Sequence, residues 1–466
     1  MRGSLRFTVA VCALASLYLS GCAMDRDEWC VEESRSILDP FRKPPAAPLP
    51  MAGVVQANHQ TTVGIVKEPT FSQVLTVDEV VHAVLSRNPS LDEMRAAAAA
   101  VAARYPQVTS LDDPTFAFTT APGSIGSRNV DYAARAEITQ KIPFPGKRDL
   151  KGQISTAEAA AASRDIDDTR LALVASTKSA MADYYLADKG WGVAQENAKL
   201  LREFRQNAES RYKTGQAPQQ DLLQADVEVA RQEERLVALR RARHVAIARL
   251  NTLMHMAPDS PLPPPAEIRD ASLIPEAAVL RASALARPDL KAVLDRLAAE
   301  EASLSLAMKE YKPDVDLMAA YDGFWQGEGG RPLQWQIGAR VNLPVRYTRR
   351  SGAVSEAQSR VAQRRAEVAK LTDRVNFEVQ DAWEQVRETD EIVKLYEAKI
   401  LPVAEANVKE AQSGYVAGRV PFLNLVEAQR NRVGLKDRYF EAVAESLRRR
   451  AALEKAVGQP LLANKP

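Results

Sequence analysis

The sequence predicts a mainly α-helical fold that also carries membrane-spanning β-strands. Three observations in the 466 residues predict it: one pattern occurs twice, each copy holds a helical stretch of nearly seventy residues, and each copy holds two segments of alternating polarity. We therefore expect long coiled-coil α-hairpins plus four strands per chain. Because the 62 basic and 60 acidic residues nearly balance, no excess of positive charge indicates a nucleic-acid partner.

The first residues predict a lipoprotein signal peptide over 1–21. Arg2 and Arg6 supply its positive charge, and the apolar stretch 7–19 is too short to span a membrane. The sequence Leu-Ser-Gly-Cys that ends at Cys22 resembles the lipobox of bacterial lipoproteins, whose cysteine carries a diacylglyceryl group and becomes the N-terminus. We therefore expect Cys22 to be lipidated and to anchor the chain to a membrane. An ordinary secretory signal with an incidental cysteine is the alternative.

An internal repeat organises the rest of the chain. The sequence Tyr212-Lys-Thr-Gly-Gln-Ala-Pro218 returns 203 residues later as Tyr415-Val-Ala-Gly-Arg-Val-Pro421. Two further pairs of motifs recur at nearly the same offset, which indicates a tandem duplication. Clusters of proline mark the boundaries between segments. We predict, in order, a signal peptide over 1–21, a lipidated proline-rich leader over 22–74, a first repeat over 75–256, a proline-rich linker over 257–275, a second repeat over 276–459 and a C-terminal tail over 460–466.

Each repeat is predicted to contain one helix of exceptional length. Lys147 to Lys213 contains no proline and would form a helix about 100 Å long. In the second repeat we predict one uninterrupted rod over Thr348 to Val416, where valines recur every seven residues as in a coiled coil. Gly215 and Gly418 lie where the rods end, so each rod is expected to fold back as an αα-hairpin. The predicted tips are about 212–218 and 415–421. A dimeric coiled coil with the same heptads is the alternative.

Four segments have the pattern of strands long enough to cross a membrane. In 333–343 every odd-numbered residue is apolar and every even-numbered residue is polar or glycine, over a length that suits a tilted membrane-spanning strand. The predicted strands are about 114–121, 131–142, 314–325 and 333–343. Aromatic residues near the strand ends fit a bilayer interface: Tyr132, Tyr321, Trp325 and Trp335. A soluble antiparallel sheet with one wet face is the alternative.

Four strands cannot close a barrel, so the membrane interpretation requires several chains. Two chains would supply eight strands around an interior filled by side chains. Three chains would supply twelve strands and leave room for a water channel. Because the second face of the alternating segments is polar, we prefer three chains.

Taken together, the motifs resemble the outer-membrane factor (TolC-like) family, and in particular its lipoprotein members. The resemblance covers about residues 75–460. It rests on the lipobox, on Leu75-Thr-Val-Asp-Glu79 with Asn88-Pro89, on Gln140-Lys-Ile-Pro-Phe-Pro-Gly-Lys147 and on the duplicated turns. It implies a homotrimer with a 12-stranded β-barrel in outer-membrane lipid and an α-helical tunnel through the periplasm. It also implies two protein partners, a periplasmic adaptor (membrane fusion) protein and an inner-membrane resistance-nodulation-division (RND) pump.

The resemblance implies a passive efflux channel for heavy-metal cations or drugs, and two groups of functional residues. The adaptor would contact the hairpin tips, which here are Tyr212, Lys213, Thr214, Gly215, Gln216, Tyr415, Val416, Ala417, Gly418 and Arg419. Just past the tips the family narrows its tunnel with acidic side chains, and the matching positions are Asp221, Asn424 and Glu427. Three copies of a carboxylate around one axis would favour cations, although Asn424 departs from the acidic pattern. An ordinary solvated helix face is the alternative.

No motif in the sequence indicates an enzyme, a cofactor or a metal site. The four histidines lack the spacing of metal ligands, and we find no nucleophile with its base and no phosphate-binding loop. Two other functions stay open on the sequence: a lipid-anchored periplasmic coiled-coil scaffold without a channel, and a protein-secretion outlet of the same fold.

Overall fold

The computed structural model describes residues 71–124, 134–268, 274–323 and 334–461. The segment Val66–Pro466 forms one compact unit. Several sequence predictions lie outside the described residues: the signal peptide, the lipid site Cys22, most of the leader, and the aromatic residues Tyr132 and Trp325.

The two repeats fold in the same order, with a pair of strands between helices. The first contains α1 (Val77–Arg87), α2 (Pro89–Ala102), α3 (Arg104–Thr109), β1 (Thr115–Thr120), β2 (Ala134–Ile142), α4 (Lys147–Lys213) and α5 (Gln219–Leu253). The second contains α6 (Ala277–Ala284), α7 (Pro288–Lys309), β3 (Val315–Gly323), β4 (Trp335–Val341), α8 (Tyr347–Leu395), α9 (Leu401–Val416) and α10 (Phe422–Val457). The predicted fold class, long α-hairpins with four strands, is confirmed.

The two long rods differ, and a proline explains the difference. Helix α4 runs unbroken from Lys147 to Lys213, as its lack of proline predicts. The prediction of one uninterrupted second rod overlooked Pro402 and is wrong. The five residues Tyr396–Ile400 form a π-helical turn, and α9 then begins at Leu401 with the proline in its first turn. Proline has no N–H to donate and its ring crowds the carbonyl four residues earlier, so the wider turn accommodates it.

Each repeat has a hydrophobic core of its own, and the two cores share a leucine at the equivalent position. In the first repeat α1 packs on α4 and α5 around Tyr184 and Leu250. In the second repeat α6 and α7 pack on α8 and α10 around Val375 and Leu453. Leu250 and Leu453 are equivalent in the repeat, and both are fully buried. The second core also contains Val375, Val379 and Val386 of α8. These heptad valines therefore pack within one chain.

A four-stranded antiparallel sheet in the order β1-β2-β3-β4 joins the two repeats. The central contact is between β2 of the first repeat and β3 of the second, with Ile138 opposite Ala319. Strands β1 and β4 form the two edges, and each pairs with one neighbour. Separately, no helix within the described ranges is long and apolar enough to cross a membrane.

Candidate functional site

One face of the sheet is apolar and open to the surroundings. Two cross-strand rows form it, Phe116–Ile138–Ala319–Ile337 and Phe118–Ala136–Tyr321–Trp335. Ile337 is 93% exposed, Trp335 76% and Phe116 67%. In a soluble protein, rows of this kind would pack against a core. A large apolar patch that stays exposed indicates contact with a membrane or a partner. We call this surface the apolar face.

The opposite face of the sheet carries charged side chains that bind one another. A guanidinium nitrogen of Arg135 lies 3.1 Å from Glu137 Oε2 and another lies 3.8 Å from Asp322 Oδ1. The side-chain amide of Gln336 donates to Asp322 Oδ2 at 2.6 Å. Asp322 is only 5% exposed. The sheet is therefore inverted relative to a soluble one, with its charges sheltered and its apolar rows open.

A buried lysine joins the sheet to the long helices. Lys147, the first residue of α4, is 3% exposed, and its Nζ lies 2.9 Å from Asp314 Oδ1. The same carboxylate oxygen accepts the backbone N–H of Phe144 at 2.8 Å, and Nζ also donates to the carbonyl of Lys312 at 3.2 Å. The proline-rich motif that ends at Lys147 in the first repeat is thereby held to the start of β3 in the second repeat.

Both hairpin tips end their helix in the same hydrogen-bonded turn. Gly215 and Gly418 have φ angles of +71° and +70°, a conformation that side chains disfavour. The N–H of Gly215 donates to the carbonyl of Tyr212 at 3.0 Å, and the N–H of Gly418 donates to the carbonyl of Tyr415 at 3.0 Å. In each tip the N–H of the residue after the glycine donates to the carbonyl one position before that tyrosine, at 2.8 Å in the first tip and 2.9 Å in the second. This second hydrogen bond completes a Schellman motif. The duplicated glycines are therefore required by backbone geometry.

Nine of the ten predicted tip residues are exposed, and Tyr415 is the exception. Its side chain is 6% exposed, and its ring lies 5.3 Å from that of Phe422 in a small core between the two hairpins. Its equivalent in the first repeat, Tyr212, is 42% exposed. Tyr415 therefore positions the second tip from inside and does not belong to the exposed tip surface.

Arg211 connects the two tips, and the sequence reasoning missed it. Its guanidinium lies 4.8 Å over the ring of Tyr415 and donates a hydrogen bond to the Tyr415 carbonyl. A comparison of the two repeats could have identified Arg211, because the equivalent position in the second repeat is a glycine, Gly414. A Cβ at Gly414 would lie 2.6 Å from Val420, so the second copy has no room for a side chain there. The two tips are thus complementary and not interchangeable.

The three predicted constriction residues have different surroundings. Asp221 is half-buried, and burial raises the pKa of its carboxyl group against the opposing effect of Arg211. Burial also raises the pKa of Tyr415, and the nearby charge of Asp221 raises it further. Asn424 and Glu427 lie exposed on α10. Among the described residues no hydrogen bond or ion pair joins Asp221 to either of them, so one chain alone does not assemble the three into a site.

A chain of buried amides lies behind the tips and was not predicted. Gln429 on α10 donates to Asn197 on α4 at 2.7 Å, Asn197 donates to Gln232 on α5 at 2.9 Å, and Gln232 donates to the carbonyl of Ala194 at 2.8 Å. All three side chains are less than a tenth exposed. This amide relay joins α10 of the second hairpin to α4 and α5 of the first.

The described ranges contain no group of three His, Cys, Asp or Glu side chains able to hold a metal ion.

Comparison with known proteins agrees with this arrangement. Residues 80–254 match the family model of the outer membrane efflux protein. No curated protein sequence matches the chain significantly.

Solved outer-membrane channels share the fold of both repeats. The outer-membrane channel OprN matches with a TM-score of 0.69 and 21% identity, over 83% of this chain and 90% of its own. VceC from Vibrio cholerae matches with a TM-score of 0.69 and 19% identity, over 83% and 97%. The open state of the MtrE channel from Neisseria gonorrhoeae matches with a TM-score of 0.68 and 15% identity, over 84% and 90%. The expected resemblance is confirmed: residues 80–254 match the outer membrane efflux protein family, and the fold is similar to that of solved outer-membrane channels such as OprN.

Proposed function

We propose that three copies of this chain form a passive duct through the outer membrane and the periplasm, opened by its partners and without chemistry of its own. The match of residues 80–254 to the outer membrane efflux protein family and the fold shared with outer-membrane channels support an outer-membrane efflux channel component. The proposal adds the number of subunits, a lipid anchor at Cys22, the docking partners and a role for each part of the structure.

The inverted sheet is the observation that carries the proposal. In a bilayer every backbone N–H and C=O needs a partner within the protein, so the free edges of β1 and β4 require strands from other copies. Three copies give twelve strands, enough for a barrel with a water-filled interior. The apolar face would then contact lipid, and the ion-paired face with Arg135 and Asp322 would line the water.

The helical hairpins supply the second part of the duct. A helix of 67 residues is about 100 Å long, so α4 would carry the tunnel far from the membrane. The exposed tip residues lie at the end distant from the sheet. This supports docking of a periplasmic adaptor at the tips and, behind it, an inner-membrane RND-type pump that selects the substrate, a heavy-metal cation or a drug.

A reconstitution experiment tests the duct directly. The purified, lipidated chain should migrate as a heat-modifiable trimer and should give discrete single-channel currents in a planar bilayer. A protein that stays monomeric and gives no channel currents would instead support the lipid-anchored scaffold. The nature of the neighbouring pump distinguishes efflux from a protein-secretion outlet, because both would share this duct.

Docking at the tips predicts that bulky residues there abolish export without removing the trimer. A Cβ at Gly215 meets no atom within 4 Å, and one at Gly418 meets only Arg211 at 3.7 Å, so added side chains point into open space. We expect the double variant Gly215→Val, Gly418→Val to reach the membrane as a trimer and to export little or no substrate. The measurement is survival on a pump substrate together with trimer abundance.

Backbone strain is separated from docking by a second pair of substitutions. Asparagine tolerates a positive φ far better than valine does, so Gly215→Asn, Gly418→Asn should keep much of the export. Normal export by the valine double variant would remove the docking claim.

The tunnel constriction predicts a loss of cation selectivity on neutralisation of its acids. We expect Asp221→Asn, Glu427→Gln to lower the cation-to-anion permeability ratio, because rings of carboxylates attract cations. Since burial raises the pKa of Asp221, its charge is lost at a higher pH than that of an ordinary aspartate. Selectivity of the wild-type channel should therefore fall as the pH is lowered, and the Asp221→Asn channel should show less of this fall.

Reversal potentials in asymmetric salt measure this effect. Glu356→Gln on α8 removes one exposed carboxylate that is paired with Arg360, and it serves as the control. An unchanged cation-to-anion permeability ratio in the Asp221→Asn, Glu427→Gln channel would show that both residues belong to an ordinary solvated helix face.

A further inference from the structure

The connection between β4 and α8 presents apolar side chains that stay exposed among the described residues. We call residues 342–349 the rim segment. Leu343 is 75% exposed, Val345 69% and Tyr347 67%. The ring of Tyr347 stacks on that of Tyr311, which precedes β3, with centroids 6.4 Å apart and an interplanar angle of 28°. An aromatic and aliphatic surface therefore borders the helix-side end of the sheet.

Within the described residues, two arginines of the rim segment lack ion-pair partners, unlike the arginines further along α8. Arg346 and Arg349 are exposed, and in the described part of the chain no carboxylate lies within 4 Å of either. Further along the same helix arginines pair with acids, in contacts such as Arg360 with Glu356, Arg364 with Glu367, Arg365 with Glu301, Arg374 with Glu378 and Arg387 with Glu391. The unpaired positive charge is thus concentrated where the helix begins.

We propose that the rim segment binds the headgroups of anionic phospholipids in the membrane leaflet that faces the helices. Strand β4, which carries Trp335 and Ile337 of the apolar face, ends at Val341, directly before the rim segment, so the aliphatic side chains of that segment would enter the same lipid layer. Tyrosines favour the level between acyl chains and water. A guanidinium binds a phosphate through two parallel hydrogen bonds, which suits Arg346 and Arg349.

This inference rests on the proposed function, because only a sheet in the membrane places the rim segment at headgroup level. A protein partner at the tips does not compete for it. The helices α8 and α9 separate the rim segment from Gly418 by about 100 Å. Charge complementarity and position therefore both select a lipid headgroup.

Lipid titration of the purified full-length protein tests the proposal. Native mass spectrometry would count phosphatidylglycerol and phosphatidylethanolamine retained by the detergent-solubilised protein. We expect the wild type to prefer phosphatidylglycerol, and Arg346→Gln, Arg349→Gln to weaken its binding by about fivefold for each arginine removed. The control Arg360→Gln, Arg365→Gln removes two charges from the same helix and should leave the preference unchanged.

Two further measurements keep the outcomes distinct. High salt should abolish the wild-type preference through screening, a result that needs no variant. Equal retention of the two lipids by the wild type, or an equal effect of the control pair, would overturn the proposal. Single-channel currents report the duct separately: a conducting protein without lipid preference refutes only the lipid site, whereas a protein that does not conduct refutes the duct.

Discussion

Arginine at position 337 is expected to prevent insertion of the sheet into the membrane. Ile337 lies near the middle of β4, at the edge-strand end of an apolar row, and is 93% exposed. A lipid-facing arginine at the bilayer midplane costs about 2–4 kcal/mol, and a trimer would carry three of them. Ile337→Arg should therefore lower the amount of membrane-inserted, heat-modifiable trimer severely, as measured by fractionation and unheated gel electrophoresis.

The neighbouring residue provides a matched control. Gln336 lies on the opposite face, where its amide donates to Asp322. Gln336→Arg introduces the same charge into the same strand, one residue away, and should leave insertion largely intact because that face would meet water. Equal insertion of the two variants would show that neither face contacts lipid, and the duct would then have no basis in this sheet.

Loss of the buried lysine at the junction is expected to be the most destabilising single change to the sheet–helix connection. Lys147→Met would leave the Asp314 carboxylate and the Lys312 carbonyl without their charged donor. Removing one partner of a buried ion pair costs about 3–5 kcal/mol. We expect a marked fall in the temperature at which the proposed trimer dissociates in detergent.

Two companion variants identify the cause of that fall. Lys151→Met removes an exposed lysine four residues further along α4 and should change the temperature little. Adding Asp314→Asn to Lys147→Met removes the unpaired charge and should restore part of the loss, since coupled residues give non-additive effects. If Lys147→Met costs no more than Lys151→Met, the pair does not hold the junction together.

The elements of this protein follow closely from local patterns in its sequence. The absence of proline predicts the full extent of α4, and the alternation around Ile337 predicts which side chains stay exposed on the sheet. The second rod shows the limit of the same reasoning, since Pro402 was present in the sequence but overlooked. In each case the pattern is reliable because it concerns residues within a few positions of one another.

Sequence equivalence was a poorer guide at the tips. Tyr212 and Tyr415 occupy the same place in the repeat, yet one is exposed and the other is buried beneath Arg211. The difference arises because the second tip packs against Arg211 of the first hairpin, and a repeated motif contains no information about such packing between its copies. The same holds for the amide relay from Gln429 to Asn197, whose members are 232 residues apart.

The sequence by itself determined the duplication, most of the helices, the strands and the alternation of apolar and polar side chains along them, because periodicity and proline act through neighbouring residues. Only the tertiary structure decided that β2 lies beside β3, that Lys147 pairs with Asp314 and that Arg211 crosses to the second tip. Those contacts join residues far apart in the chain. They form only when both repeats pack together, and a local stretch of sequence does not reveal that packing.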